Sequence, residues 1–164
     1  MTDLFCPATL VVARHAKAAF VEDWFSDEGG SLTPGGRAQA HALADSLEGR
    51  RVASIFTSDI SRAVQTAEIV AGHLGASVTT DDRLGDALDL ATLDAVLTDA
   101  GDPDRAILFG HDPDFSEFVA ELCSASNVPM RKGALAKIEV DRPLQTAGGT
   151  LRWLIPPDAL RRKG

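Results

Sequence analysis

The sequence predicts an α/β fold, a three-layer α/β/α sandwich whose central sheet is mostly parallel and ends in an antiparallel strand pair. Two short apolar runs, residues 10–13 and 107–110, are nearly uninterrupted, as strands buried on both faces are. A histidine follows each run closely, and segments with helical periodicity lie between the strand-like runs. Such alternation of buried strands and helices is typical of a parallel sheet covered by helices on both faces.

The first half of the chain contains two strands and two helices. In chain order the predicted elements are a strand at 10–13, a loop at 17–31, a helix at 34–47, a strand at 53–58 and a helix at 60–74. Thr33 suits the N-cap of the first helix and Pro34 its first turn, while Gly49 and Gly75 suit the two helix ends. Residues at helical spacing give each helix a core-facing side. They are Ala40, Leu43, Ala44 and Leu47 in the first helix and Ala63, Ala67, Val70 and Ala71 in the second.

The second half of the chain ends in a hairpin. Its predicted elements are an edge strand at 77–80, an acidic loop at 81–89, a helix at 91–100, a strand at 104–110, a helix from 112 to 122, and strands at 134–140 and 151–155. Gly148 and Gly149 lie in the last connection, which is typical of a turn between antiparallel strands.

Composition and charge restrict the possible classes of function. A chain of 164 residues with 45% hydrophobic residues fits a single domain, residues 1–164. The formal net charge of −8 argues against a nucleic-acid partner, which would require a basic face. No apolar stretch approaches the roughly 20 residues of a membrane span, and the N-terminus lacks the cationic start of a secretory signal. We therefore expect a cytoplasmic protein without nucleic-acid or membrane partners, and the sequence leaves its oligomeric state open.

Candidate metal ligands do not converge in the sequence. Cys6 and Cys123 are far apart, and neither belongs to a C-x-x-C pair. His41 lies among alanines of a predicted helix and His73 lies near a helix end, so we interpret both as surface or rim histidines. The sequence therefore predicts neither a metal site nor a cofactor.

Four charged or titratable residues are predicted to meet at one edge of the sheet. Arg14 and His15 follow the first strand, His111 follows a later one, and Arg62 lies in the first turn of the second helix. The carboxyl ends of parallel strands share an edge, where ligands of α/β proteins collect. A basic residue in the first helical turn is unfavourable beside the helix dipole unless an anion binds there. Since guanidinium groups bind phosphate oxygens in pairs, we expect a phosphate site.

The two histidines suit different tasks at such a site. A neutral imidazole can attack phosphorus, and nearby Arg14 and Arg62 favour the neutral form of His15 because like charges repel. His111 can hold a phosphoryl oxygen as charge grows in the transition state, and a carboxylic acid would protonate the leaving group. The chain contains no P-loop motif and no G-x-S-x-G nucleophile elbow, which argues against those two classes of enzyme.

Four ordered segments resemble the motifs of the histidine phosphatase superfamily, also called phosphoglycerate mutase-like. They are Arg14-His15-Ala16 for R-H-G, residues 32–40 for L-T-x-x-G-x-x-Q-A, residues 58–67 for S-x-x-x-R-A-x-Q-T-A, and the pair Gly110-His111. Within the superfamily, the small size and the segments 14–18, 110–113, 132–134 and 151–157 are similar to SixA-type phosphohistidine phosphatases. The resemblance implies that His15 is the phosphorylated nucleophile and His111 the second histidine in contact with phosphate. It also implies a phosphoglycerate mutase-like fold in which Arg14 and Arg62 clamp the phosphate.

The chain departs from the family pattern at two positions. SixA-like chains often have an arginine shortly before the L-T segment, where this chain has Gly30-Ser31, so Lys17 and Lys132 are candidates to replace that phosphate contact. Other branches have a glutamate acid after the third strand, where this chain has Leu84-Gly85-Asp86. Asp86 is therefore the candidate general acid, with Asp89 in reserve. A missing acid would favour phosphohistidine substrates, because a phosphoramidate leaving nitrogen differs from an alkoxide.

The sequence therefore predicts a phosphatase that needs no metal and acts through a phosphohistidine intermediate. Its substrates would be phosphohistidine proteins or a small phosphorylated metabolite. Two alternatives stay open at this point, a phosphoglycerate mutase-like phosphotransferase and a non-catalytic module that binds phosphate. The short chain disfavours the mutase, because it leaves little insertion or tail to retain a substrate.

Overall fold

In the part of the chain that the structure describes, six strands form one sheet. The computed structural model describes the backbone of residues 8–14 and all atoms of residues 31–49, 54–85 and 87–160. The strands are β1 (Ala8–Arg14), β2 (Ser54–Thr57), β3 (Val78–Thr80), β4 (Arg105–Gly110), β5 (Leu135–Val140) and β6 (Gly149–Ile155). Their order across the sheet is β3-β2-β4-β1-β5-β6.

The strand directions confirm the predicted mixed sheet. Strands β1 to β4 run parallel to one another, whereas β5 is antiparallel to both of its neighbours, β1 and β6. The C-terminal strand pair thus continues the parallel sheet beside β1. Because Leu135 at the start of β5 pairs with Ala13 near the end of β1, the start of β5 lies beside the ends of the parallel strands. We call this side of the sheet, formed by the ends of β1, β2 and β4 and the start of β5, the carboxyl edge.

Four α-helices within the described residues flank the sheet. They are α1 (Pro34–Leu47), α2 (Ser61–Leu74), α3 (Leu90–Asp99) and α4 (Asp114–Leu122). Helix α1 has the predicted bounds, since Thr33 Oγ1 caps it by accepting a hydrogen bond from the Gly36 backbone N–H at 3.0 Å. Helix α2 ends at Gly75, whose φ of 65° lies in the left-handed region that glycine adopts without strain. Helices α3 and α4 begin and end within two residues of the predicted positions.

The sheet separates two apolar cores. Alternate side chains of β4 point to opposite faces: Phe109 packs with α1 and α2, whereas Leu108 packs with α3 and α4. The predicted core faces of α1 and α2 are buried, so the three layers are confirmed. None of the helices in the described part of the chain is long and apolar enough to cross a bilayer.

Candidate active site

Several predicted site residues lie at the carboxyl edge. Arg14 ends β1, and its backbone is paired in register with Gly110, the last residue of β4 and the neighbour of His111. The Ser58 backbone N–H donates to the Phe109 carbonyl at 3.3 Å and so holds the end of β2 against β4. The side chain of Arg14, together with His15 and Lys17, lies outside the described residues. Their predicted roles therefore stay predictions, although the backbone register does place the end of β1 next to His111.

A buried hydrogen bond joins the ends of β2 and β4. Ser58 Oγ and His111 Nε2 are 2.6 Å apart, with Ser58 fully buried and His111 only 9% exposed. Two polar side chains buried this deeply are expected to be hydrogen-bonded, and here they satisfy one another. The sequence predicts a role for His111 but none for Ser58, which enters the sequence analysis only as the first residue of the segment 58–67. The available signal was that Ser58 follows the β2 strand as His111 follows β4.

Gly110 lets His111 occupy this place. A Cβ atom on Gly110 would overlap the buried Phe115 ring, which packs directly over the backbone at this point. The same ring belongs to the first turn of α4, and the Phe115 N–H donates to the His111 carbonyl at 2.9 Å. The β4–α4 turn therefore packs so tightly that only glycine fits before the histidine.

Arg62 occupies the predicted position in the first turn of α2. The N-cap residue is Ile60, whose side chain cannot accept hydrogen bonds from the helix amides, and the first turn contains no acidic residue. The Arg62 side chain is half-buried, and its carbonyl accepts a hydrogen bond from Thr66 Oγ1 at 2.7 Å. An uncapped helix N-terminus beside an arginine is a favourable environment for an anion.

The segment that lacks the family's arginine is fastened to α2. The Leu32 N–H donates to Gln65 Oε1 at 2.8 Å, and Gln65 Nε2 donates to Ser31 Oγ at 3.3 Å. Gln65 lies about one turn beyond Arg62 on the same helix. Ser31, which stands where SixA-like chains often have an arginine, therefore lies beside the helix that presents Arg62.

The acidic loop contacts the carboxyl edge on both sides of Asp86. Gly85 packs against Ser58 and Asp59, since a Cβ atom on Gly85 would lie 3.5 Å from each of their side chains. The Leu88 N–H donates to Asp114 Oδ2 at 3.1 Å, at the start of α4. Ala87 between them has a φ of 46°, a left-handed conformation that is unfavourable for residues other than glycine. Asp86 itself lies outside the described residues, so its role as general acid stays a prediction.

Asp89, the reserve candidate for the acid, has a structural task instead. Its carboxylate caps α3 by accepting a hydrogen bond from the Thr92 N–H at 2.7 Å. This backbone hydrogen bond lowers the pKa of Asp89, so the group is ionised near neutral pH and has no proton to donate. The geometry therefore argues against Asp89 as the general acid.

A surface cleft of about 560 Å³ begins at Asp112, the residue that follows His111. It is lined by Asp112, Pro113, Ser116, Glu117, Asn127, Pro129, Met130 and Arg131. The Asp112 carboxylate accepts hydrogen bonds from the Ser116 N–H at 3.0 Å and the Ser116 hydroxyl at 2.7 Å, which fixes the wall beside His111. Lys132 follows Arg131 and is exposed in the turn that leads into β5, so its backbone lies on the same side of the sheet as the other candidates.

The two histidines interpreted as surface residues form a pair. His41 Nδ1 on α1 lies 2.8 Å from His73 Nε2 on α2, and His73 Nδ1 lies 3.7 Å from Asp45 Oδ1. The sequence separation of 32 residues concealed this contact. Within residues 31–49, 54–85 and 87–160, no group of three or more histidine, cysteine or acidic side chains could hold a metal ion.

Comparisons with known proteins agree with these observations. A model of the histidine phosphatase superfamily (branch 1) matches residues 10–90, about half of the chain. The chain is 43% identical over 53 residues to the probable phosphoglycerate mutase GpmB of Yersinia enterocolitica. That match covers 32% of this chain and about a quarter, 25%, of the length of the relative.

Solved structures share the fold over nearly the whole chain. The protein histidine phosphatase SixA, solved in complex with tungstate, is 28% identical with a TM-score of 0.75, covering 92% of this chain and 97% of that one. A SixA protein from Agrobacterium tumefaciens has the same fold with a TM-score of 0.75 at 21% identity, covering 93% of this chain and 99% of that one. The family model spans the segments that bring Ser58 and Arg62 to the carboxyl edge, and the SixA fold extends over His111 and the final hairpin. The chain therefore belongs to the histidine phosphatase superfamily and is SixA-like.

Proposed function

We propose that the protein is a metal-independent phosphatase that transfers a phosphoryl group through His15 to water. The observation that carries the proposal is the position of His111. It is buried at the carboxyl edge, held by Ser58, and its neighbour Gly110 is in register with Arg14, the residue before His15. A nucleophile, a second imidazole and a cationic helix turn on one edge are the parts that phosphoryl transfer requires.

The proposed reaction has two steps. A ring nitrogen of neutral His15 attacks phosphorus, so that a P–N bond forms while the bond to the leaving group breaks and its electron pair departs with that group. Water then attacks the phosphorus, the P–N bond breaks, and inorganic phosphate leaves as His15 regains its lone pair. Arg14 and Arg62 neutralise the equatorial oxygens, and His111 donates a hydrogen bond to one of them.

We propose Asp86 as the acid that protonates an alkoxide leaving group. The proposal is supported by the residues on either side of Asp86. Gly85 packs against Ser58 at the carboxyl edge, and the Leu88 N–H donates to Asp114 at the start of α4. Lys132 or Lys17 would replace the arginine contact that the chain lacks before Leu32. Lys132 is supported by its place in the turn before β5, on the side of the sheet where the site lies.

The proposed substrates are phosphohistidine proteins or a small phosphorylated metabolite. The likeness to SixA supports the first, and tungstate in that structure is a tetrahedral oxyanion like phosphate. The cleft beside His111 has a volume within the range of small-ligand sites, and its outer residues Glu117 and Arg131 are exposed. It could therefore accept either a metabolite or the residues that flank a phosphorylated side chain.

A phosphoglycerate mutase-like phosphotransferase is the second candidate. The 43% identity to GpmB over 53 residues favours it. A mutase would return the phosphoryl group from His15 to an organic acceptor, whereas a phosphatase would release it to water. Incubation with a phosphorylated glycerate separates the two, because exchange without release of inorganic phosphate would identify the mutase.

We also propose a cytoplasmic location. Among the described residues Cys123 is a free, partly buried thiol, and cysteines usually stay reduced in the cytoplasm.

The decisive variant for the proposed function is His15→Ala. We expect it to reduce turnover of an activated aryl phosphate by at least about a thousandfold, since removal of a nucleophile eliminates the covalent step. His73→Ala is the matched control, because it removes an exposed histidine that is paired with His41 away from the carboxyl edge. Equal turnover by the wild-type and His15→Ala proteins would refute the proposal. A wild-type protein that binds phosphate without any turnover would instead be the non-catalytic module.

A further inference from the structure

The hydrogen bond between Ser58 and His111 bears on which ring nitrogen of His111 carries the proton. Ser58 Oγ lies 2.6 Å from Nε2, the nitrogen at the far end of the ring, and Nδ1 is buried as well. A neutral histidine carries one proton, which is on either of its two ring nitrogens. If one nitrogen accepts a hydrogen bond, the other carries the proton and is a donor. The direction of the Ser58 hydrogen bond therefore determines whether Nδ1 can donate.

The surroundings of Ser58 favour donation by its hydroxyl. Among the described residues, Nε2 of His111 is the only hydrogen-bond partner of Ser58 Oγ. If Nε2–H were the donor, the fully buried Ser58 hydroxyl would be left with a proton and no acceptor in that part of the structure. An unsatisfied buried donor is costly, and donation from Ser58 to the Nε2 lone pair removes this cost at both of these groups. Nδ1 then carries the ring proton and is the buried group that requires an acceptor, whereas a proton on Nε2 would leave both the hydroxyl and the Nδ1 lone pair to be satisfied.

The Ser58 backbone is held in place on several sides. Its N–H donates to the Phe109 carbonyl at 3.3 Å, and its carbonyl accepts from Thr57 Oγ1 at 3.0 Å. Gly85 packs against its Cβ atom. The hydroxyl is thus presented to His111 from a backbone with little freedom to move.

We propose that Ser58 is a positioning residue that holds neutral His111 in the tautomer with its proton on Nδ1. The inference rests on the proposed phosphatase function, because it assigns the hydrogen bond to the phosphoryl oxygen to Nδ1–H. A preset donor needs no reorganisation as charge develops on the oxygen, and this is the condition under which such donors are most effective. Ser58 acts only through His111 and does not take part in any covalent step.

The test is the ¹⁵N NMR spectrum of the histidine side chains, in which protonated and unprotonated ring nitrogens are well separated. The His111 signals are assigned by their loss in a His111→Asn variant. In the wild-type protein, above the pH at which the ring titrates, we expect a protonated Nδ1 and an unprotonated Nε2. A proton on Nε2 in the neutral wild-type ring would overturn the proposal, and this measurement requires no substitution at Ser58.

Ser58→Ala supplies the functional measurement. We expect a mixture of tautomers at His111 and a fall in kcat of about tenfold, less than the 10²–10³ that loss of a direct donor causes. Ser58→Thr keeps the hydroxyl, so it should restore both the tautomer and most of kcat. Ser46→Ala is the matched control, because it removes a half-buried hydroxyl near the C-terminal end of α1 that donates to the Leu43 carbonyl at 2.7 Å. It should leave the His111 spectrum and kcat unchanged.

The outcomes separate this inference from the proposed function. If Ser58→Ala matches Ser46→Ala in both spectrum and kcat while His15→Ala is inactive, the positioning role is wrong and the phosphatase proposal stands. If wild-type and His15→Ala proteins are both inactive, the proposed function fails, whatever tautomer the spectrum shows.

Discussion

Two polar clusters of the molecule differ in what they do with their hydrogen bonds. At the β5–β6 connection, Arg142 Nε donates to Asp94 Oδ1 at 2.7 Å, and its Nη2 contacts Asp94 O, Thr98 Oγ1 and Asp102 Oδ1 within 3.3 Å. All these oxygens belong to α3 or the turn that follows it. The Asp94 carboxylate also accepts from the Leu144 N–H at 2.8 Å. Arg142 therefore ties the last hairpin to α3.

The pair Ser58 and His111 lies at the carboxyl edge and joins the ends of two parallel strands. It contains a titratable ring and a hydroxyl, both buried and hydrogen-bonded to one another. The comparison shows that the hydrogen-bond partners of a side chain, more than its charge, distinguish a structural cluster from a candidate site. An arginine saturated by oxygens of its own chain stabilises the fold, whereas a histidine aligned by a neutral hydroxyl at a strand end is a candidate for chemistry.

The largest expected difference between the clusters is in turnover. His111→Ala should lower kcat for an aryl phosphate by about 10²–10³-fold, because it removes a donor to the charge that develops in the transition state. Arg142→Ala should leave kcat within about twofold, since Arg142 contacts only α3 and its following turn among the described residues. A comparable fall in both variants would show that the two clusters do not differ in function.

Stability should show the opposite order. Arg142→Ala should lower the free energy of unfolding by about 1–3 kcal/mol, measured with urea, because three partners lose a half-buried charge-assisted donor. Arg152→Ala is the matched control on the same hairpin. Its pair with Glu139, at 2.6 Å, is largely exposed, so its loss should lower the free energy of unfolding much less than the loss of Arg142. Equal losses from the two variants would contradict the structural role given to Arg142.

A substitution at Gly110 should affect both turnover and the free energy of unfolding. Gly110→Ala should cost about 1–3 kcal/mol of stability, because the new methyl group forces the buried Phe115 ring or the β4–α4 turn to move. Since His111 is the next residue, turnover should fall with stability. Gly72→Ala in α2 provides the control, because a Cβ atom there meets no atom within 4 Å and alanine favours a helix. If both substitutions are tolerated equally, the turn is looser than its packing indicates.

The smallest effect concerns pH. The side-chain hydrogen bond from Arg83 lowers the pKa of Asp81, so Asp81 stabilises the folded chain above its unfolded pKa of about 4 and loses this contribution as pH falls through the lower folded value. Asp81→Asn should therefore lower the urea midpoint slightly at pH 7, and the difference should shrink in acid below pH 4. A difference that grows on acidification would have the wrong sign.

Much of the fold was predictable because local signals and tertiary packing agree. Thr33, Pro34 and Gly75 define helix ends by hydrogen bonds and conformations that involve only a few neighbouring residues. The carboxyl edge was predictable too, because parallel strands necessarily bring Thr57 and Gly110 to the same side of the sheet. Because ligand sites of α/β proteins lie at the carboxyl ends of parallel strands, the sequence predicted that His111 and Arg62 lie at this edge.

Contacts that depend on register or helix packing were not predictable. Ser58 meets His111 across 53 residues, and His41 meets His73 across 32, so both pairs need the assembled sheet or helix pair to bring them together. The role of Asp89 could not be read from the sequence for a different reason. A carboxylate in an acidic loop has the same sequence signature whether it caps a helix or donates a proton, and only the Thr92 contact distinguishes them.

The most direct test of the account is the location of the covalent phosphoryl group. The wild-type protein is mixed with a phosphodonor, quenched under alkaline conditions that preserve phosphohistidine, and analysed by peptide mass spectrometry. We predict a phosphoryl group on His15 that is absent from the His15→Ala protein and disappears as inorganic phosphate is released. Turnover accompanied by no phosphorylated residue, or by phosphorylation at another position only, would contradict the account.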